Sequence, residues 1–399
     1  MQKIRLLADE NIPFLEQLLP SSIELTQVPG RKICSALLKE QDILLVRSVT
    51  KVNSALLVNT TVQFIGSTTI GTDHVNLQAI QKQNIAFAHA PGSNAMSVVE
   101  YVLSALFNLH NQQSIDLNTA KIGIIGCGHV GYKLAFFLKK MRLMVKIYDP
   151  FLEKNKAFNH VKTLDFCSFS EVLTCDIITL HVPFTVKDSF PTHHLLNEKA
   201  LFSLKEEALL INTARGGVID QAALKRLLSK RKKLKVVLDV WQNEPTIDVD
   251  LMERCTFATP HIAGYAFEGK RNGVIQVIEQ LKKWMVCHTL NHNDSWPEAP
   301  ALPALSLNID KTGNEAIQNI FLSETQSLKS QTLIENLSAY LEKFYSIADE
   351  STCFKTQMSQ ASHEQYGTIF DLYRKNYPIR REAFAYFATS SFFNFGGLA

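Results

Sequence analysis

The chain is 399 residues long, 46% apolar, with a formal net charge of +3. At about 100–200 residues per domain, this length implies two or three domains, each able to bury a core. A charge so close to neutral excludes a global electrostatic footprint for nucleic acid or an anionic membrane, and neither is expected as a partner.

Seven cysteines (Cys34, Cys127, Cys167, Cys175, Cys255, Cys287 and Cys353) are scattered, odd in number and without a CxxC pair. Neither a disulfide framework nor a zinc site is indicated, and no metal is expected. The opening MQKIRLLADE carries charges where a signal peptide needs an apolar stretch. No apolar run approaches the roughly 18 residues that span a bilayer. The expected location is the cytoplasm.

In chain order, the apolar runs IRLLA, IELTQV, DILLVRS, VQFIGS and IAFAHA recur between polar or turn-forming segments from Ile4 to Ala90. Such runs read as buried parallel strands separated by short helices. Pro91-Gly92-Ser93-Asn94 breaks the pattern, and Ser93 or Asn94 can cap a long helix over Ala95 to His110.

Ile122 to Asp149 follows, reading IGIIGCGHVGYKLAFFLKKMRLMVKIYD. A short apolar run enters the turn Gly126, Gly128, Gly131, an amphipathic segment follows, and a second apolar run ends on Asp149. This is a dinucleotide-binding βαβ signature. The helix N-terminus offers N–H groups and a positive dipole to phosphates. Asp149 can bind both ribose hydroxyls and would repel a 2′-phosphate, which favours NAD over NADP.

The alternation continues through DIITLHV, the helix Gln221 to Lys230, and ALLINTA, KVVLDV and TFATPH, as a doubly wound sheet demands. A helix over about Ala266 to Cys287 can then carry the chain back to the first domain. The basic run Lys225 to Lys235 is either a polyanion patch or a solvated helix end whose cations complement the dipole. Beyond Asn291 the chain turns proline-rich, then polar and mixed, with aromatic clusters at Tyr373 to Phe387 and Phe392 to Phe395. That segment reads as a small third domain for self-association or as a loosely ordered extension.

Hydride transfer from a hydroxy acid to a nicotinamide needs a cation for the carboxylate, a base for the hydroxyl proton and an acid to orient that base. Arg215, Glu244 and His261 each follow a predicted strand, at the carboxyl edge where open α/β sheets bind ligands. Taken singly, such residues are commonly a surface arginine, a loop acid and a structural histidine. Together at successive strand exits they form a catalytic candidate set. His181, in LHVPF, is the rival histidine and has no acid nearby in sequence.

These segments resemble the D-2-hydroxyacid dehydrogenases. The likeness is carried by LADENIP, VPGR, VRSVTKVN, GTDHV, APGSNAMSVVEYV, GIIGCGHVG, INTARG, VVLDVWQNEP and TPHIAGYAFEGK, and again by FDLYRKNYPIRRE near the end. It implies an α/β fold with two doubly wound parallel-sheet domains, a flavodoxin-like substrate domain and a Rossmann NAD domain, plus a small C-terminal α+β dimerisation domain. The implied boundaries are 1–93 with 262–290 for the substrate domain, 94–261 for the NAD domain and 291–399 for the dimerisation domain.

The resemblance further implies a homodimeric enzyme that oxidises 4-phospho-D-erythronate. Arg215 and Glu244 fall on active-site positions and His261 on the proton donor and acceptor. Gly126, Gly128, His129, Val130, Gly131, Asp149, Val182, Thr213, Ala214, Asp239 and Gly264 fall on the NAD site, and Ser48, Thr69 and Tyr265 on substrate contacts. Arg47 and Lys51, beside Ser48, are the nearest cations for a phosphate. Many relatives have threonine where this chain has Val182, so any cofactor contact there must come from the main chain. The other readings are a relative acting on glycerate or phosphoglycerate, and a non-catalytic NAD(H)-sensing protein.

Overall fold

The computed structural model describes residues 3–154, 164–288, 295–300 and 330–384. The chain divides into two compact units, one formed by 1–94 with 266–306 and the other by 95–265 with 307–399.

In the first unit the apolar runs form five parallel strands: β1 (Ile4–Asp9), β2 (Ile23–Val28), β3 (Ile43–Val46), β4 (Phe64–Ser67) and β5 (Ala86–His89). Their order is β2-β1-β3-β4-β5, the flavodoxin-like arrangement. Successive side chains point to opposite faces, and both faces are covered. Leu6, Ile43 and Leu45 pack with Val274, Val277, Ile278 and Leu281 of the helix Phe267–His288. Leu7, Leu44 and Val46 pack with Leu38, Val52, Leu57 and Ile80 on the other side. That double coverage is why these strands read as continuous apolar runs rather than alternating ones.

The second unit holds β6 (Lys121–Ile125), β7 (Met144–Tyr148), β8 (Ile177–Leu180), β9 (Leu209–Asn212), β10 (Lys235–Leu238) and β11 (Phe257–Ala258). All are parallel, in the order β11-β10-β9-β8-β6-β7. Phe166 extends the sheet past β7 through a bridge to Ile147. The order reverses between β6 and β8, where a Rossmann sheet opens its ligand crevice.

The helix Ala95–Asn111 is buried nearly all round because it is sandwiched. One side meets the sheet at Ile122, Ile124 and Ile211, and the other meets Leu333, Ile334, Leu337 and Leu341 of the helix Ser330–Leu341. The helix Ile347–Ser359 covers the edge strand β11, where Ser351 Oγ accepts the Ala258 N–H at 2.9 Å. An edge left open would present unpaired backbone groups. The helix Tyr366–Lys375 adds Phe370 to the same core. Residues 330–384 are thus largely helical and share the core of the second unit, whereas 295–300 belong to the first. The remainder of the expected α+β domain, including Phe392 to Phe395, lies outside the described residues.

The basic run is partly compensated by acids on neighbouring segments. Lys225 pairs with Asp248 and Asp250, Arg226 with Glu198, Arg231 with Glu206, and Lys233 with Glu207. Four of its seven cations are thus met by acids elsewhere in the unit.

Phe354 is fully buried, edge-on to Phe370 and Tyr373. Phe354→Ala should therefore cost about 3–5 kcal/mol in urea unfolding of the second unit. A loss below about 1 kcal/mol would show that this helix does not belong to the unit's core.

Candidate active site

At the end of β6, Gly126 adopts φ 89° and donates its N–H to the Tyr148 carbonyl at 2.9 Å. A Cβ on Gly131 would lie 2.0 Å from the Gly126 carbonyl oxygen, so close approach of helix and strand requires glycine there. Gly128 differs, since a Cβ at that position would meet nothing within 4 Å. Its glycine leaves an open cradle at the start of the helix His129–Lys140, whose N-cap has no side-chain hydrogen bond. A helix N-terminus facing open space suits a pyrophosphate. Val130, one residue into the helix, packs against the core.

Asp149 closes β7, and its carboxylate accepts from the N–H groups of Cys127 (2.8 Å), Leu152 (3.0 Å) and Phe151 (3.2 Å). These bonds hold the acid beside the glycine turn. Opposite lies the exit of β8, where Val182 Cγ1 sits beside Gly126. His181 Nε2 bonds Thr179 Oγ1 at 2.9 Å, and its Nδ1 lies 3.4 Å from Thr213 Oγ1. Its ring keeps some contact with solvent, yet the surrounding chain desolvates it and pushes its pKa down to about 3. A histidine held neutral in this way is poorly suited to proton exchange near neutrality. Ala214 is buried next to Thr213, its N–H bonded to Asn212 Oδ1 at 3.0 Å.

The exits of β9, β10 and β11 carry the remaining candidates. After β9, Asn212 Nδ2 donates to the Arg215 carbonyl at 3.0 Å, fixing the turn that presents Arg215 in extended conformation. Gly216 follows because a Cβ there would strike the Trp241 carbonyl. After β10, Glu244 Oε1 accepts the Trp241 N–H at 2.8 Å and Oε2 lies 2.8 Å from His261 Nδ1. His261, after β11, has φ 58°, a left-handed backbone rare outside glycine. Such strain costs about 1–3 kcal/mol and concentrates at functional positions.

Asp239 holds that turn in place. The Asp239 carbonyl accepts the His261 N–H at 2.7 Å. Its Oδ1 accepts from Thr259 Oγ1 and the Ile262 N–H, both at 2.7 Å, and Oδ2 from the Ala263 N–H at 3.0 Å. Burial raises the Asp239 carboxyl above the ordinary range, offset in part by His261 and these bonds. For Glu244 the balance falls the other way. Burial would raise its pKa, but the charge and hydrogen bond of His261, the Trp241 N–H and the charge of Arg374 together hold it below the ordinary carboxylate value. With Nδ1 engaged by an ionised Glu244, His261 is left with Nε2 for proton exchange, and its side chain is 32% exposed.

Gly264 and Tyr265 complete the turn, the Tyr265 N–H donating to the Ile262 carbonyl at 2.8 Å. The Tyr265 hydroxyl accepts from Arg374 Nη2 at 2.6 Å, and Arg380 Nη2 donates to the Ala263 carbonyl at 2.5 Å. Sequence reasoning missed both arginines. Both lie in FDLYRKNYPIRRE, but nothing local in that string announces that they reach a turn more than a hundred residues earlier.

Ser48, Arg47, Lys51 and Thr69 belong to the first unit, at the exits of β3 and β4. Ser48 and Lys51 are exposed and Arg47 partly so. Thr69 Oγ1 bonds Ser67 Oγ (2.8 Å) and the Gly71 carbonyl (3.1 Å), while Ser67 Oγ lies 3.0 Å from His74 Nε2. Among the described residues no group of three or more His, Cys, Asp or Glu side chains is placed to hold a metal ion. No helix among them is long and apolar enough to cross a membrane.

A Rossmann sheet with an open glycine cradle, an acid beside it and a carboxylate–imidazole pair at the strand exits defines a dinucleotide-dependent dehydrogenase. Residues 85–263 match the family model described as D-isomer specific 2-hydroxyacid dehydrogenase, NAD binding domain. Erythronate-4-phosphate dehydrogenase of Pseudomonas entomophila is 37% identical over 94% of this chain and 92% of its own length. The Hahella chejuensis protein of the same name is 46% identical over 71% of this chain and 72% of its own.

Among solved structures, D-lactate dehydrogenase from Aquifex aeolicus, complexed with NAD and lactic acid, aligns with TM-score 0.56 and 24% identity, covering 70% of this chain and 95% of that one. NAD-bound 3-phosphoglycerate dehydrogenase of Entamoeba histolytica aligns with TM-score 0.59 and 22% identity, covering 72% and 97%. The chain belongs to the erythronate-4-phosphate dehydrogenase family, within the D-isomer specific 2-hydroxyacid dehydrogenases. It is an NAD-dependent oxidoreductase, and the open cradle at Gly128 and the acid at Asp149 fit that cofactor.

Two predictions follow from the geometry. Gly131→Ala should lower thermal stability and NADH binding together, whereas Gly128→Ala should leave the melting temperature nearly unchanged while weakening NADH, read by fluorescence titration. Equal effects would remove the distinction between a packing glycine and a ligand-facing one. For Glu244, a folded-state pKa below the unfolded value of about 4.3 adds stability above that pH, lost as the pH falls through the folded value. The stability gap between the native protein and Glu244→Gln, measured by urea melts, should therefore be widest near about pH 7 and shrink below about pH 4. A constant gap would show that Glu244 carries no depressed pKa.

Proposed function

We propose that the protein oxidises 4-phospho-D-erythronate to (R)-3-hydroxy-2-oxo-4-phosphooxybutanoate, a step of pyridoxal 5′-phosphate biosynthesis. The observation that carries this reading is the 2.8 Å pair of Glu244 and His261 at adjacent strand exits of an NAD-binding sheet. The names of the relatives that match along most of the chain supply the substrate.

NAD, when bound, supplies the acceptor for the hydrogen and electron pair leaving C2. His261 Nε2 takes the C2 hydroxyl proton. Glu244 keeps the proton of the other ring nitrogen on Nδ1 and stabilises the imidazolium that forms. Arg215 grips the carboxylate through its planar guanidinium. Ser48, Thr69 and Tyr265 hydrogen-bond the remaining oxygens, and Arg47 and Lys51 are candidate cations for the phosphate.

The glycine turn with His129 and Val130 holds the pyrophosphate and Asp149 the ribose, while Val182, Thr213, Ala214, Asp239 and Gly264 line the nicotinamide end. Asp239 is buried, so its part is chiefly to fix the turn that bears His261. In the same proposal, residues 1–93 with 262–290 bind substrate, 94–261 bind NAD, and 291–399 join two copies into a cytoplasmic homodimer. The family-like string at 370–382 supports that last reading, and light scattering of the full chain tests it, a monomer at micromolar concentration counting against it.

The reaction itself is followed as NADH absorbance with 4-phospho-D-erythronate and NAD. His261→Ala should lower turnover by about 10²–10⁴-fold, the usual worth of a positioned acid–base group. Near-normal turnover in that variant would overturn the proton relay, and activity on glycerate or phosphoglycerate alone would overturn the substrate.

A further inference from the structure

The turn that bears His261 has a second holder besides Asp239. Ala263 is 1% exposed, so its backbone groups cannot turn to water and each needs a partner inside the protein. Its N–H donates to Asp239 Oδ2 at 3.0 Å, and its carbonyl accepts from Arg380 Nη2 at 2.5 Å. The N–H belongs to the peptide plane before Ala263 and the carbonyl to the plane after it. Both planes are therefore tied, one to the exit of β10 and the other to the C-terminal segment.

Arg380 is itself braced. It is 5% exposed, the same Nη2 donates to the Ser97 carbonyl at 3.0 Å, and the guanidinium carbon lies 4.6 Å from the Tyr345 ring centre. Two residues on, Glu382 Oε1 accepts from Ser97 Oγ at 2.5 Å. Burial opposes the charge of Arg380, but Tyr377, Tyr345, Glu100 and Glu382 together outweigh burial and keep it protonated. Four residues after Ser97, on the same side of the helix, the Tyr101 hydroxyl lies 2.6 Å from Thr259 Oγ1. Thr259 gives its own hydrogen to Asp239, so Tyr101 is the donor of that pair. The helix Ala95–Asn111 thus backs the turn at its start, and Arg380 joins the same helix to the turn at its end.

His261 lies two residues before Ala263, with its left-handed φ of 58°. A residue in that region stays there only where its surroundings over-determine it. Proton exchange also demands accurate placement, since an error of about 1 Å in a reacting group costs about 10²-fold in rate.

We propose that Arg380 is a positioning residue for His261, fixing through the Ala263 carbonyl the turn that aims the imidazole. This role rests on His261 being the acceptor of the hydroxyl proton. Arg380 lies outside residues 85–263, the part matched by the general dehydrogenase model, so the C-terminal segment takes a share in catalysis. An arginine suits the task, because it is a donor at every working pH and its planar fork can serve two carbonyls at once.

The test uses the full chain as wild type, Arg380→Met, Arg380→Lys, His261→Ala and Phe354→Ala. Methionine keeps much of the apolar stem without a donor, lysine keeps one cationic donor, and Phe354→Ala shows what lost stability alone does. Two readouts are taken: kcat with 4-phospho-D-erythronate and NAD, expressed per NADH-binding site, and amide hydrogen exchange of residues 257–266 by mass spectrometry without substrate. Counting NADH-binding sites removes any unfolded fraction from the rate. Arg380→Met should lower kcat per site by about 10–100-fold and speed exchange in that segment by about tenfold or more, while exchange over the glycine turn stays as in wild type. Arg380→Lys should recover part of both. If Arg380→Met binds no NADH, Arg380→Lys decides, with smaller changes of the same sign.

Where the wild type turns over, either readout left at its wild-type value overturns the proposal. So does a loss in Arg380→Met no greater per site than in Phe354→Ala, or exchange that speeds uniformly across the unit. Near-normal turnover in His261→Ala, or a wild type inactive on 4-phospho-D-erythronate, would instead overturn the proton relay or the substrate. Local loosening in Arg380→Met would still sustain the arginine's hold on the turn.

Discussion

The Asp239 carboxylate is the point on which the catalytic end of the second unit is built. It leaves β10 buried, and its oxygens accept from Thr259, Ile262 and Ala263, so the exit of β11 is tied to the exit of β10. Burying a carboxylate is expensive unless its lone pairs are met, and here they are met by the backbone of the loop that must be shaped. The left-handed conformation of His261 is sustained by this lattice, which points the imidazole at Glu244. Without the Asp239 carboxylate the strand ends would remain, but the Ile262 and Ala263 N–H groups would lose their acceptor.

The same turn is gripped from its far side by the C-terminal segment. Arg380 donates to the Ala263 carbonyl and the Ser97 carbonyl, while Ser97 Oγ donates to Glu382 at 2.5 Å and the Phe384 N–H to Glu100 at 2.8 Å. Burial first, and then the charge of Glu382, push Glu100 well above the ordinary carboxyl range. This buried polar cluster joins the helix Ala95–Asn111, the catalytic turn and the last described residues. The C-terminal segment therefore belongs to the architecture of this turn, and Arg374 adds a hydrogen bond to Tyr265 at its end.

Much of the frame was legible because it follows from periodicity. Runs such as DILLVRS and ALLINTA are apolar throughout since both faces of their sheets are covered, and the structure makes them β3 and β9. The helix Gln221–Lys230 has the bounds its amphipathic pattern gives. The glycine turn was readable for the same reason, as strand, turn and helix are contiguous. Less was legible where partners are distant in sequence. The near-total burial of Ala95–Asn111 has its cause in Leu333 to Leu341, and the charges of Lys225, Arg226, Arg231 and Lys233 are met by acids on other segments.

The sequence by itself determined the chemistry on offer: a nucleotide turn, an acid to follow it, and an arginine, a glutamate and a histidine at three strand exits. These are local facts, because a parallel sheet places every strand's carboxyl end on one edge. Only the tertiary structure decided which atoms meet. It paired Glu244 with Nδ1 of His261, desolvated His181 to neutrality, turned Asp239 into the anchor of the loop, and set Arg374 against Tyr265. Each depends on burial and direction between residues distant along the chain, and neither quantity is carried by spacing along it.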